Sequence, residues 1–528
     1  MAKVTIDGIE VDVQDGINVI EAAKAADVHV PHFCYHPSLS VVGQCRMCLV
    51  EVEGMPKLQA GCATPIKEGM KVHVWNEKVD KARKGQMEFL LINHPLDCPI
   101  CDKAGECPLQ DYAFNYGSVD SRYGEFKRTY PGMDRTAIGP HVVQNMNRCI
   151  HCTRCIRFTQ EITGTSELAF FKRGASTQVG VFAGMPLDNW MSACVTDICP
   201  TGALTTREFR FESRVWNLDS TESVCNGCDV GCNMFIGHRN GQVFRYRPRV
   251  NPDVNDHWLC DYGRFSHEKY DTDRVVVPKV RHDDYLGIST WSEAIDAIAN
   301  AVKDAKSIGV IASAQLTNEE AFLARQLFVD RMKATVSTTV DAIGPIRMKS
   351  KTDWHEGTQA GPNYRGVSSI LGVGQAPSPD PSVGQAPSPD PRQAGAPVLH
   401  DVLFVLDAHF SEKANVEELR KAKFLVVVSW DANHPLADAA DVLLPGTIHA
   451  EKEGTFTNLQ NRVQRIHQAF PPKGQAVSEL ELFRRIGAAI YPDAREFGSA
   501  DAYDVFAALR ESMPAMQTSE EVAPAEAW

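Results

Sequence analysis

Residues 3–13 alternate apolar and polar side chains around the pair Asp7-Gly8. A period of two broken by Asp-Gly predicts a β-hairpin. Residues 18–26 change to helical spacing, and residues 80–92 predict a second helix. From about Pro278 the pattern changes again. Thr290-Trp-Ser-Glu293 has the form of a capping box, with apolar positions Ala294, Ile295, Ile298, Ala301 and Val302 following at helical spacing. Thr317-Asn-Glu-Glu320 opens another helix in the same way, and short apolar runs at 307–314, 401–406, 424–430 and 441–444 predict buried strands. Strands alternating with helices imply a mostly parallel, doubly wound sheet. The fold class expected is α+β in the front half, followed by α/β.

The cysteines sharpen that division. All 16 lie between Cys34 and Cys260, and the last 268 residues have none. No run of 18 apolar residues exists, and the first residues enter a strand at once, leaving no room for a signal peptide. The chain is therefore expected in a reducing compartment, where clustered cysteines point to metal rather than disulfides. A net charge of −13 argues against nucleic acid or an anionic lipid surface as the main partner. At 528 residues there is room for several domains.

Cys149, Cys152 and Cys155 have the C-x2-C-x2-C spacing of bacterial ferredoxins, in which a fourth cysteine three residues on serves the other cluster. Here that position is Thr159, and a separate Cys199-Pro200 supplies the missing ending. Counting back from Cys199 at ferredoxin spacing reaches Val195, Ser192 and Asn189, none a ligand. One [4Fe–4S] cluster on Cys149, Cys152, Cys155 and Cys199 is the simplest reading, with a structural zinc site as the alternative. Cys34, Cys45, Cys48 and Cys62 form C-x10-C-x2-C-x13-C, a plant-type [2Fe–2S] arrangement with its first loop lengthened from four residues to ten. Gly43 before Cys45 allows a tight loop whose N–H groups face the sulfurs, and hairpin, helix and loop together imply a β-grasp ferredoxin. Cys98, Cys101 and Cys107 are three ligands where a [4Fe–4S] cluster needs four, and His94 stands four residues before the first. Cys225, Cys228, Cys232 and Cys260 make a fourth set, C-x2-C-x3-C-x27-C. Cys194 alone remains, and a small buried role suits it.

These motifs carry a family resemblance. The order C-x10-C-x2-C-x13-C, then H-x3-C-x2-C-x5-C, resembles the large iron–sulfur subunit of respiratory complex I, a unit also found in soluble NAD-linked hydrogenases and formate dehydrogenases. Asn147-Arg-Cys-Ile-His-Cys-Thr-Arg-Cys-Ile-Arg-Phe and Asp197-Ile-Cys-Pro-Thr-Gly-Ala-Leu-Thr narrow the match. The hydrogenase and formate dehydrogenase relatives keep both ferredoxin-type clusters, whereas the complex I subunit keeps one. The fourth set resembles the [4Fe–4S] domain of molybdopterin oxidoreductases. Ala439-Ala-Asp-Val-Leu-Leu-Pro and Glu451-Lys-Glu-Gly-Thr-Phe-Thr-Asn resemble their catalytic domain. Tyr262 stands where those enzymes have a pterin-facing lysine, and no later cysteine could bind molybdenum, so no molybdopterin is expected.

The resemblance implies one [2Fe–2S] and three [4Fe–4S] clusters. It implies an electron-transfer subunit of a proton-translocating NADH:quinone oxidoreductase, with the NADH and quinone sites on other subunits. Its partners would be the NADH-oxidising FMN flavoprotein and other peripheral-arm subunits, on the cytoplasmic face of a bacterial inner membrane. No G-x-G-x-x-G follows a strand, and no P-loop is present. The rival enzyme reading is the electron-input subunit of a formate dehydrogenase or hydrogenase; the rival structural reading is a zinc scaffold. The domains expected are 1–78, 79–120, 121–216, 217–275 and 276–512, with a tail at 513–528. A proline-rich decapeptide repeat within 371–397 reads as a disordered loop.

Overall fold

A computed structural model of the chain describes residues 1–271, 273–338, 346–350, 354–357, 361–373, 400–406, 413–498 and 502–513. The decapeptide repeat, apart from Val373, and the tail after Met513 lie outside the described residues. The chain divides into two compact units, Met1–Leu218 and Asp219 onward.

The first unit begins with the expected hairpin, Ala2–Ile6 against Ile9–Val13. Asp7 and Gly8 both take positive φ, 44° and 88°, which the two-residue turn demands. These strands join a five-stranded sheet in which Ala2–Ile6 runs parallel to Lys71–His73, next to Leu49–Val52 and Gln59–Ala60. The helix Val19–Ala25, capped by the Asn18 side chain, buries Val19, Ile20, Ala22 and Ala23 against that sheet. The second helix runs Glu77–Leu91, a turn earlier than its apolar spacing implies, because Asn76 accepts from the Val79 N–H and fixes the start. Its core face meets Phe33, Met47, Leu109 and Tyr116. Further on, a three-stranded sheet Leu204–Thr206, Val142–Gln144 and Thr136–Ala137 lies beside the short helices Arg154–Arg157 and Cys194–Ile198.

The second unit opens with an antiparallel meander, Asp219–Val224, Asn233–Arg239 and Gln242–Pro248. A seven-stranded sheet follows, whose strands Thr335–Thr338, Ile308–Ala312, Val402–Leu406, Phe424–Ser429 and Val442–Pro445 are parallel neighbours. Alternate residues divide between two cores. Phe404, Leu406, Val426 and Val428 face the helices Trp291–Asp304, Asn318–Ala324 and Glu479–Ile490, while Leu403, Val405, Leu425 and Val427 face Val416 and Leu436. That partition is the doubly wound sheet expected from the sequence. Both capping boxes, at Thr290 and Thr317, form. Strands 401–406 and 441–444 each start one residue later than their apolar runs suggest. Asp401 instead accepts from the N–H groups of Lys306 and Ser307, and Asp441 from that of Leu425, so each carboxylate pins a neighbouring strand end.

Glu451-Lys-Glu-Gly-Thr-Phe-Thr forms a buried polar joint. Lys452 Nζ lies 2.8 Å from Glu479 and 3.3 Å from Glu320, all three side chains at most 2% exposed. Burial pushes the Glu320 carboxyl up to about 8, with Lys452 opposing and Glu479 reinforcing the shift. Although burial works against it, Lys452 holds the Glu479 carboxyl below its ordinary value. The triad therefore carries one ammonium, one carboxylate and one shared proton near neutral pH. Lys452→Met strands a buried carboxylate and should cost about 3–5 kcal/mol. Chemical denaturation of the full chain reads this against Arg462→Met, whose exposed pair with Asp253 should cost no more than about 1 kcal/mol.

Candidate metal centres

Each of the four sequence-defined sets is reached by a loop that tightens at its cysteines. In the first, Gly43 and Arg46 take φ of 59° and 56°, wrapping the chain around Cys45 and Cys48. The Cys45 thiol, together with that of Cys62, contacts the Cys34 thiol, and the Cys34 N–H lies 3.5 Å from Cys45 Sγ. Thiol contacts with Cys45 and Cys62, helped by the N–H groups of Cys45 and Gln44, pull the Cys34 thiol far down, while Cys34 pushes Cys45 up. Cys48 and Cys62 are paired in the same way. All four cysteines of the set meet, and backbone donors face their sulfurs as the Gly43 context implies.

Cys149, Cys152, Cys155 and Cys199 line one pocket, together with Ile150 and Val179. His151 and Thr153 adopt φ of 55° and 64°, which brings the His151 N–H to 3.4 Å from Cys149 Sγ. Burial is the main cause that raises the thiols of Cys149, Cys152 and Cys155, Cys152 to about 11, with the neighbouring cysteines adding to it. Four thiolates crowded into one pocket, Cys152 and Cys199 buried and Cys149 and Cys155 partly so, cannot coexist there without positive charge in their midst. The positions of a second ferredoxin cluster are filled instead. Thr159 Oγ1 donates to the Ile156 carbonyl, Asn189 Nδ2 to Glu167 at 3.0 Å, and Ser192 and Val195 are fully buried.

The third set is His94, Cys98, Cys101 and Cys107. Burial, reinforced by Arg148 and Lys127, pulls the His94 imidazole down to about 4, so it is neutral at pH 7 as a metal ligand must be. Its buried Nδ1 finds no hydrogen-bond partner among the described residues, which leaves it for another group. Burial lifts Cys101 and takes Cys107 to about 12, and each feels its neighbouring thiol. Cys98 is exposed. Gly202 is needed here: a methyl at that position would overlap the Cys101 sulfur. In the fourth set the N–H groups of Gly227 and Gly263 lie 3.3 Å from Cys225 and Cys260 Sγ. A Cβ on Gly263 would meet Cys225 Sγ at 2.6 Å and Cys260 Sγ at 3.5 Å, so both sulfurs converge there. The Cys228 thiol is held up by burial first and then by Cys260 and Cys225, and Cys232 pairs its carbonyl with the Cys225 N–H at 2.7 Å. Tyr262 packs its ring against Gly227. Cys194 is fully buried at the start of its helix.

Within the first unit these sets are joined. Cys107 Sγ lies 3.5 Å from the Pro200 carbonyl, next to Cys199. Arg157 donates to the carbonyls of Cys34 and Ser40, Arg154 to that of Tyr35, and Gln44 to that of His151 at 2.9 Å. The arginines and Gly202 stand within the motifs, yet ligand spacing alone does not single them out as site residues. Their signal is nonetheless present: Arg148, Arg154 and Arg157 directly flank Cys149 and Cys155 or follow within two residues.

Cysteine sets with donor-lined sulfurs on ferredoxin-like modules define an iron–sulfur electron-transfer protein. The comparisons give the particular family. Residues 1–77 match the model "2Fe-2S iron-sulfur cluster binding domain", and 83–122 match "NADH-ubiquinone oxidoreductase-G iron-sulfur binding region". Residues 139–205 match "NADH-quinone oxidoreductase subunit 3, ferredoxin-like domain", and 218–268 match "NADH-ubiquinone oxidoreductase NDSU1/NuoG-like, 4Fe-4S domain". Residues 393–489 match "Molybdopterin oxidoreductase". The chain is 32% identical to the mitochondrial NADH-ubiquinone oxidoreductase 78 kDa subunit of Candida albicans, over 92% of this chain and 82% of that protein. It is 43% identical to the G-type subunit of NADH-quinone oxidoreductase from Rickettsia felis, over 62% of this chain and 49% of that one. Identity to the NADH-ubiquinone oxidoreductase 75 kDa subunit of Reclinomonas americana is 40%, over 59% and 45%. The match thus spans about half the length of the latter two. The chain belongs to the family of the large iron–sulfur subunit of NADH-quinone oxidoreductase, the G-type or 75–78 kDa subunit.

Two outcomes follow from the His94 set. Gly202→Ala should abolish its paramagnetic signal while the Cys34 signal persists, read by electron paramagnetic resonance of the reduced chain. His94→Cys should keep the cluster but make it harder to reduce, by about tenfold or ~59 mV in a one-electron titration, because a neutral ligand becomes an anionic one.

Proposed function

We propose that this chain is the electron-transfer subunit of a proton-translocating NADH:quinone oxidoreductase. It takes electrons from an NADH-oxidising FMN subunit and passes them toward quinone through other peripheral-arm subunits. An iron–sulfur centre supplies one-electron exchange with little rearrangement, at a potential its ligands and surroundings set. The protein's part is to hold one [2Fe–2S] on Cys34, Cys45, Cys48 and Cys62, and [4Fe–4S] groups on the His94, Cys149 and Cys225 sets. Buried N–H donors and arginines offset the thiolate charge, and the apolar walls exclude water.

The observation that carries this reading is the joining of three ligand sets within Met1–Leu218. The Cys149 set is hydrogen-bonded to the loops of both others, through Arg157 to Cys34 and through Pro200 to Cys107. The Cys149 set is thus a neighbour of both, and Cys45 also packs against the apolar core that holds Cys107. Filling of the Asn189 and Ser192 positions supports the complex I role over a hydrogenase or formate dehydrogenase input subunit, whose relatives keep both ferredoxin-type clusters. No helix among the described residues is long and apolar enough to cross a membrane. Membrane contact is accordingly proposed to come only through the complex, peripherally, on the cytoplasmic face of a bacterial inner membrane.

In the assembled complex, Cys199→Ser should abolish NADH-driven quinone reduction while NADH oxidation by a small artificial acceptor at the flavin persists. Equal retention of both activities contradicts the proposal. The Cys225 set is assigned a structural role off the electron path, since Tyr262 covers Gly227 and no later cysteine offers an acceptor. Cys228→Ser should then lower the yield of complex, with turnover per bound flavin near normal. Collapse of that turnover would place the set on the path.

A further inference from the structure

Residues 147–158 bury three arginines, Arg148, Arg154 and Arg157, at 4%, 4% and 7% exposure. Guanidinium groups so deep must meet partners, because desolvating an unpaired charge is costly. Two of the three turn their donors toward the loop of the Cys34 set. Arg157 spans from Cys34 and Ser40 carbonyls to the Cys152 carbonyl at 3.4 Å and Thr153 Oγ1 at 3.1 Å. Arg154 joins the Tyr35 carbonyl to the Ile198 carbonyl, the latter at 3.2 Å and one residue before Cys199. Ser40 adds a two-point contact, its N–H and hydroxyl both donating to Glu161. Tyr35, Ser40 and Gln44 all lie between Cys34 and Cys45, where this chain has ten residues and plant-type ferredoxins have four. The added length is the part of the loop that reaches the second set.

We propose that Arg154 and Arg157 are positioning residues of an electron-transfer joint. Arg157 fixes the spacing of the Cys34 and Cys149 sets, and Arg154 tunes both with a single shared charge. The proposal rests on the reading that both sets hold clusters. Thiolate-bound clusters gain negative charge on reduction, so a buried cation beside them favours the reduced form. The Arg154 guanidinium donates to the carbonyls next to Cys34 and next to Cys199, so one buried cation faces both sets. Arginine suits this place because its fork meets two carbonyls at fixed angles and it does not lose its proton. Arg148 occupies the corresponding place toward the His94 set, bonded to Asp97 at 2.9 Å.

The test is a redox titration of the assembled complex, followed by electron paramagnetic resonance. With Arg154→Gln, the one-electron reduction equilibria of the Cys34 and Cys149 centres should both fall about tenfold, ~59 mV, while the His94 centre moves less than about twofold. Arg154→Lys keeps the charge and should hold both centres within about twofold of the unsubstituted complex, and it serves if the glutamine variant does not assemble. Arg157→Lys should leave potentials in place but weaken the magnetic interaction between the two reduced centres. A shift confined to one centre, a shift as large in the His94 centre, a tenfold shift with Arg154→Lys, or an unchanged interaction with Arg157→Lys overturns the joint. Absence of both signals in the unsubstituted complex would instead refute the cluster assignment.

Discussion

Buried thiolates repel one another and resent the loss of water, and every feature of the front half answers that constraint. Left as thiols, Cys149, Cys152 and Cys155 are made weaker acids than an ordinary cysteine, chiefly by burial. Iron held there would supply the largest compensating charge. The protein supplies the rest as aimed N–H groups at His151, Gly227 and Gly263 and as buried arginines. Non-glycine residues at positive φ, Arg46, His151 and Thr153, are part of the same solution, since such turns aim amides at the sulfurs. Glycine enters where a sulfur itself needs the room, at Gly202 and Gly263.

The rear half solves a different problem. Its central strands Val402–Leu406, Phe424–Ser429 and Val442–Pro445 bury apolar side chains on both faces of the sheet. Lys452, Glu320 and Glu479 neutralise one another, and Glu319 accepts from the Thr455 N–H and hydroxyl at 2.8 Å each. These polar residues join the strand Gly454–Thr457 to the helices around it.

Much of this was legible in the sequence because the signals were local. An Asp-Gly pair in an alternating run allows little but a hairpin, and both capping boxes formed where their residues stood. Cysteine spacing grouped the ligands because a cluster fixes how far apart its thiolates sit along a loop. Signals that depend on tertiary neighbours were less visible. Asp401 and Asp441 looked like strand residues until partner strands claimed their carboxylates. The lengthened first loop was evident as a number, but its purpose needed Glu161, Arg154 and Arg157 to be placed against it. Spacing could group each set separately, yet it could not say which sets touch.

The most direct measurement is the iron content of the full chain, isolated anaerobically, combined with its spectrum on stepwise reduction. The account predicts a brown protein with about fourteen irons per chain, from one two-iron and three four-iron groups, and paramagnetic signals that emerge one after another as the potential falls. A colourless chain carrying zinc and silent throughout the titration would contradict it.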